Sequence, residues 1–132
     1  MSILIIADIH ANLTALEAVL AHAQGAFDTV WCLGDIVGYG PEPNECVQRV
    51  RALKGLVCIS GNHDHAAIGE INLNAFNPLA AAALRWTRNT LLPESSHYLE
   101  DLPSIKEVKG ITLAHGSPRH PVWEYITDTV LA

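Results

Sequence analysis

The first half of the chain repeats one pattern three times: a short apolar run followed at once by a loop of Gly, Asp, Asn and His. Ile3 to Ile6 runs into Asp8-Ile9-His10, Thr29 to Leu33 into Gly34-Asp35, and Leu56 to Ser60 into Gly61-Asn62-His63-Asp64-His65. Amphipathic stretches separate the runs. Asn12 is placed to cap a helix whose stripe is Leu13, Leu16, Val19, Leu20 and Ala23, with Gly25 as its stop. Pro43 opens a second helix carrying Val47, Val50 and Leu53, and Lys54 and Gly55 close it. Strand and helix alternating at this spacing argue for a parallel sheet with right-handed crossovers, so the three loops are expected to share the carboxyl edge, where α/β sheets bind ligands. The fold class expected is therefore α/β.

The second half changes character. Asn77 and Pro78 start a helix expected to reach Thr90, Pro93 a second expected to reach Leu102, and Lys109-Gly110 a hairpin turn before a strand at Ile111 to Ala114. That strand also ends in a punctuated loop, His115-Gly116-Ser117-Pro118-Arg119, and a last helix is expected from Val122 to Leu131. A length of 132 residues points to a single domain over residues 1–132, and 49% hydrophobic residues are enough to build its core. Apolar runs are far shorter than the roughly 20 residues of a membrane span, which excludes a membrane partner of that kind. No basic leader precedes the first apolar run, and three cysteines form no CxxC pair, so a cytoplasmic, reducing location is expected.

Eight basic against fourteen acidic residues give a net charge of −6. A nucleic-acid partner is not favoured by that balance, and any phosphate-bearing partner needs bound cations. The seven histidines supply them with ligands. Asp8 and His10, read as two residues apart in an extended segment, point the same way and can grip one cation. Asp35 can bridge two, Asn62 offers a neutral carbonyl oxygen, and His115 stands at a fourth strand end. Two carboxylates against two divalent ions leave about two positive charges, which suits an anionic ester and acidifies a bound water. His63, beside Asn62, either binds metal or works next to it on a phosphoryl oxygen or a leaving group. Asp64 either orients His63 or caps the next helix.

Taken together, Asp8-Ile9-His10, Gly34-Asp35, Gly61-Asn62-His63-Asp64 and His115-Gly116 resemble the calcineurin-like metallophosphoesterases, whose blocks run D-x-H, G-D, G-N-H-[DE], H and G-H-x-H. Order and strand-end placement agree as far as His120. The resemblance implies a four-layer αββα sandwich around two divalent metal ions, Mn²⁺ first, with Fe²⁺, Ni²⁺ or Zn²⁺ also accepting such ligands. It implies that Asp8 and His10 bind one metal, Asn62 and His115 the other, that Asp35 bridges, and that His63 is catalytic without being a ligand. Activity follows as hydrolysis of a small phosphate ester, a phosphodiester or phosphomonoester, by a metal-bridging hydroxide. The second block reads Gly34-Asp35-Ile36-Val37-Gly38-Tyr39-Gly40, where protein phosphatases have GDxVDRG. That argues against a protein phosphatase and toward the small prokaryotic phosphodiesterase-like branch, which shares the loop around Arg119, a substrate-binding candidate.

No G-H-x-H occurs in the sequence. The sandwich is therefore expected to be incomplete at the C-terminus, with uncovered sheet that invites homo-oligomers or strand exchange. The alternative to an enzyme is a truncated or degenerate module that binds metal weakly, turns over little and acts through association. His22 and His97 lie on helical surface positions, His65 and His120 lie near motif blocks without belonging to them, and Trp31, Trp86 and Trp123 read as core or interface.

Overall fold

The computed structural model describes residues 1–132 and places the three apolar runs in one parallel sheet, in the order β1 (Ile3–Ile6), β2 (Thr29–Cys32), β3 (Val57–Cys58). Ile3 to Ile6 pair residue for residue with Thr29 to Cys32, and Trp31 and Cys32 with Val57 and Cys58. Helices α1 (Leu13–His22) and α2 (Pro43–Arg51) fill the two crossovers. Asn12 caps α1, its side chain accepting from the Ala15 amide at 3.0 Å. The chain continues through α3 (Asn62–Ala67), a short 3₁₀ turn, α4 (Pro78–Thr90), α5 (Pro93–Glu100) and the antiparallel hairpin of β4 (Ile105–Val108) and β5 (Ile111–Ala114).

Alternation along the strands decides what covers each face. Leu4, Ile6, Val30, Cys32 and Cys58 join the helix-side core with Leu16, Leu20, Val47 and Val50. Trp31 faces the other way into a second cluster with Ile59 and Leu113, flanked by Ile3, Val57 and Val108. This second cluster is the seam between the parallel sheet and the β4–β5 hairpin, so the layers run helices, sheet, sheet. The seam also carries the end of β5 to the carboxyl edge of β2, which brings the fourth loop to the other three.

Three local expectations are corrected. The Gly61 to His65 segment is not a loop but the entry and first turn of α3, because the Asp64 side chain accepts from the Gly61 amide and caps that turn. Helix α5 stops at Glu100, two residues short of the expected end near Leu102, where the following Pro103 disfavours helical backbone. No helix forms from Val122 to Leu131. Trp, Tyr, Ile and Thr there lose rotamer freedom in a helix, and the Asp128 carboxylate takes the amides of Val130 and Leu131 in a local turn instead.

Candidate metal centre

Asp35 sits at the middle of the carboxyl edge, 2% exposed, and belongs to two groups of metal-type donors. One is His10, Asp35 and His63; the other is Asp8, Asp35 and His115, and within each group the donor atoms lie within 4.8 Å of one another. Asp35 Oδ2 is 3.7 Å from His10 Nε2 and 3.4 Å from His115 Nε2, while Asp8 Oδ1 is 3.7 Å from His10 Nε2. Asp35 Oδ1 accepts from the His63 amide at 2.9 Å. One carboxylate thus faces groups from the other three loops.

Asp8 and His10 reach this point by a different route from the extended segment expected. Both have left-handed backbone, φ 53° and 49°, as do Ala11, Asp35 and Tyr39. Asp and His tolerate that region better than most residues, yet each such residue costs of the order of 1–3 kcal/mol and needs support from its surroundings. Hydrogen bonds provide it: the amides of Asp8, His10 and Ala11 donate to the carbonyls of Gly34, Asp35 and Ile36 at 3.1, 3.0 and 2.9 Å. The first loop is strapped to the second.

Asp64 holds the second loop from behind. Fully buried, its Oδ2 accepts from the amides of Asp35 (2.7 Å) and Gly61 (3.0 Å), and its Oδ1 from Ile36 (2.9 Å) and Val37 (3.1 Å). Burial, then the charge of Asp35, pushes its carboxyl up to about 7, while the Gly61, Val37 and Asp35 amides pull it down. All four contacts are donors and none accepts a proton, so the pocket is built for the carboxylate. The role of orienting His63 is corrected here: both oxygens are spent on backbone, and Asp64 is a positioning residue for Asp35 and the loop behind it.

The histidines are oriented by carbonyls. His10 Nδ1 lies 3.2 Å from the Val37 oxygen and His115 Nδ1 2.8 Å from the Leu33 oxygen. A carbonyl only accepts, so both Nδ1 atoms carry the proton and both Nε2 atoms face Asp35. Burial opposes a charge on His115, but the Asp35 carboxylate and the Leu33 carbonyl outweigh it and raise its pKa to about 9. The gap between His115 and Asp35 favours positive charge. His63 is pushed the other way, chiefly by burial, with the Asp35 charge opposing. Its Nδ1 is buried without a hydrogen-bond partner, and its ring is packed among His10, Tyr39 and Phe76 at 4.7, 4.8 and 5.0 Å between centroids.

Asn62 is 4% exposed at the start of α3, between Gly61 and His63. Arg119 is not brought to the cluster: 62% exposed, it donates to Glu124 Oε1 at 2.5 Å and lines a separate hollow with Gly116, Ser117 and Pro118. His65 is tied to Ser60, Ser104 and Glu70, and His22 and His97 are exposed. Tyr39 and Phe76 are site residues that sequence reasoning passed over. The signal for Tyr39 was present in the departure of Gly38-Tyr39 from Asp-Arg, and Phe76 gave none.

The donor set fits divalent cations. The Asp8 carboxylate and the Nε2 atoms of His10 and His115, each imidazole held at Nδ1 by a carbonyl, surround the shared Asp35 carboxylate, the chemistry of an O/N metal site. The sequence pattern of the calcineurin-like phosphoesterases matches residues 1–130. The chain belongs to that family. Among relatives of this chain is an uncharacterized protein of Methanocaldococcus jannaschii, 43% identical over 130 residues, which are 94% of this chain and 53% of that protein. The symmetrical bis(5'-nucleosyl)-tetraphosphatase of Pectobacterium atrosepticum is 30% identical over 149 residues, covering 100% of this chain and 48% of that one. A metallophosphoesterase crystal structure from Sphaerobacter thermophilus superposes with a TM-score of 0.82 at 56% identity, over 96% of this chain and 51% of that one. The chain spans about half the length of the curated relatives it matches.

Proposed function

We infer that this phosphoesterase hydrolyses small phosphodiesters or phosphomonoesters with two divalent cations, Mn²⁺ first among them, held by Asp8, His10, Asp35, Asn62 and His115. The observation that carries the reading is Asp35 Oδ2, buried and facing the Nε2 atoms of both His10 and His115. Bound there, divalent cations supply the charge that draws an anionic ester and acidify a water. Asp35 spans the two donor groups, and the carbonyls of Val37 and Leu33 hold the imidazoles at Nδ1 so that both Nε2 atoms face the same point as Asp35. His63 is the catalytic residue. Its lowered pKa leaves the ring uncharged at neutral pH, so it acts as a hydrogen-bonding partner to the ester rather than as a fixed cation. Asp64 does not touch the ester; it keeps Asp35 in place. Three buried free cysteines fit a reducing compartment such as the cytoplasm.

The test is release of nitrophenol from bis(4-nitrophenyl) phosphate with Mn²⁺ and with a chelator. Turnover is expected with the metal only, and Asp35→Asn is expected to abolish it. Retained turnover in Asp35→Asn overturns the assignment. Because relatives are named as symmetrical bis(5'-nucleosyl)-tetraphosphatases, a dinucleoside tetraphosphate is the second substrate to assay.

A further inference from the structure

Tyr39 is a large aromatic residue, 51% exposed, in a backbone conformation that disfavours it, φ 58°. Such a conformation persists only where the surroundings over-determine it. Its ring lies 4.9 Å from that of His10 and 4.8 Å from that of His63, so one side belongs to the metal centre. Its other side lines a hollow of 260 Å³ with Gly40, Pro41, Ala83 and Trp86. Trp86 stands on α4, 47% exposed, at the far wall. No charged side chain lines this slot, and two of its walls are aromatic. A phosphoryl group finds no cationic side chain in it, whereas an uncharged planar ring can stack on the aromatic walls.

We propose that the slot between Tyr39 and Trp86 binds the planar base of a nucleoside ester whose phosphate sits at the Asp35 centre, making Tyr39 and Trp86 specificity-determining residues. Tyr39 is the joint between the two: one ring borders both the donors and the slot. The proposal rests on the phosphoesterase reading for the phosphate end only, since the slot itself recognises the ring.

The experiment separates the two. Adenosine 5'-monophosphate and ribose 5-phosphate are titrated into the Mn²⁺-loaded protein by calorimetry, and adenosine and ribose are compared without metal by ligand-observed NMR. The base is expected to strengthen binding roughly tenfold, the scale of one aromatic stack. Trp86→Leu is expected to remove that gain and Trp86→Phe to keep it, with circular dichroism confirming the fold of each. Equal affinities for the two phosphates, a gain that survives Trp86→Leu, or adenosine binding no better than ribose overturns the slot. Loss of all turnover on bis(4-nitrophenyl) phosphate with adenosine still held through Trp86 overturns the phosphoesterase reading and leaves the slot standing.

Discussion

At the scale of single residues, the site depends on two carboxylates with opposite duties. Asp35 faces the donors and Asp64 faces backbone, although both are buried at the same sheet edge. Asp64→Asn keeps the shape but turns an NH₂ group toward amides that also donate. Losing two charge-assisted hydrogen bonds predicts about 3–5 kcal/mol less stability in urea denaturation. A loss below about 1 kcal/mol would show that the four amides find other partners. The thiols give a second expectation. Burial, before the charges of Glu42, Glu45 and Glu17, pushes Cys46 up to about 12, and an interaction with Cys32 together with burial raises Cys58 further. Only the thiolate reacts, so both are expected to resist a disulfide reagent at pH 8 in the native protein and to react on unfolding. Raising the pH toward 12 is expected to speed the reaction of Cys46, because its thiolate fraction grows in that direction. Rapid native labelling at pH 8 would contradict their burial. His65 falls outside the donor groups because Ser60, Ser104 and Glu70 already occupy it.

At the scale of elements, the strand-end loops matter more than the strands. The first loop hangs on the second by three hydrogen bonds, and the second lies on α3 through Asp64. Glycine makes one of these contacts close enough. Gly38 has φ +93°, and a Cβ there would lie 2.5 Å from His63 Nδ1. Gly38→Ala is therefore expected to displace the His63 ring while costing only about 1–2 kcal/mol of stability for the left-handed backbone. Turnover of bis(4-nitrophenyl) phosphate should fall far more than the melting temperature does. A variant with unchanged turnover would remove His63 from the chemistry or show that the ring has room. The elements themselves were largely legible: Asn12, Pro43, Pro78 and Pro93 mark helix starts because capping and fixed φ act locally. The end of the chain was not, since the Val122 to Leu131 pattern is helical in period but the Asp128 carboxylate competes for the backbone.

At the scale of the whole molecule, two faces remain open, the outer side of the hairpin with Ile105 43% exposed and the edge strand β1 with Ile5 57% exposed. The candidate metal centre lies between layers, at the ends of β1, β2 and β5 and the start of α3. Cations that bind only the folded chain are expected to stabilise it by about 2.7 kcal/mol at a hundred times their dissociation constant. Thermal melting with and without Mn²⁺ measures this, and Asp35→Asn should lose the shift. A melting temperature indifferent to Mn²⁺ would count against the site. The sequence by itself determined the α/β alternation, the strand ends that carry Asp8, Asp35, His63 and His115, and the family they resemble, because strand periodicity, helix starts and loop chemistry are local properties. Only the tertiary structure decided that Asp8 and His10 meet through left-handed backbone, that Asp64 serves amides rather than His63, that Arg119 is held away by Glu124, and that Tyr39 and Trp86 share a hollow. Those outcomes depend on hydrogen bonds and packing between residues far apart in the chain, and no single segment contains both partners.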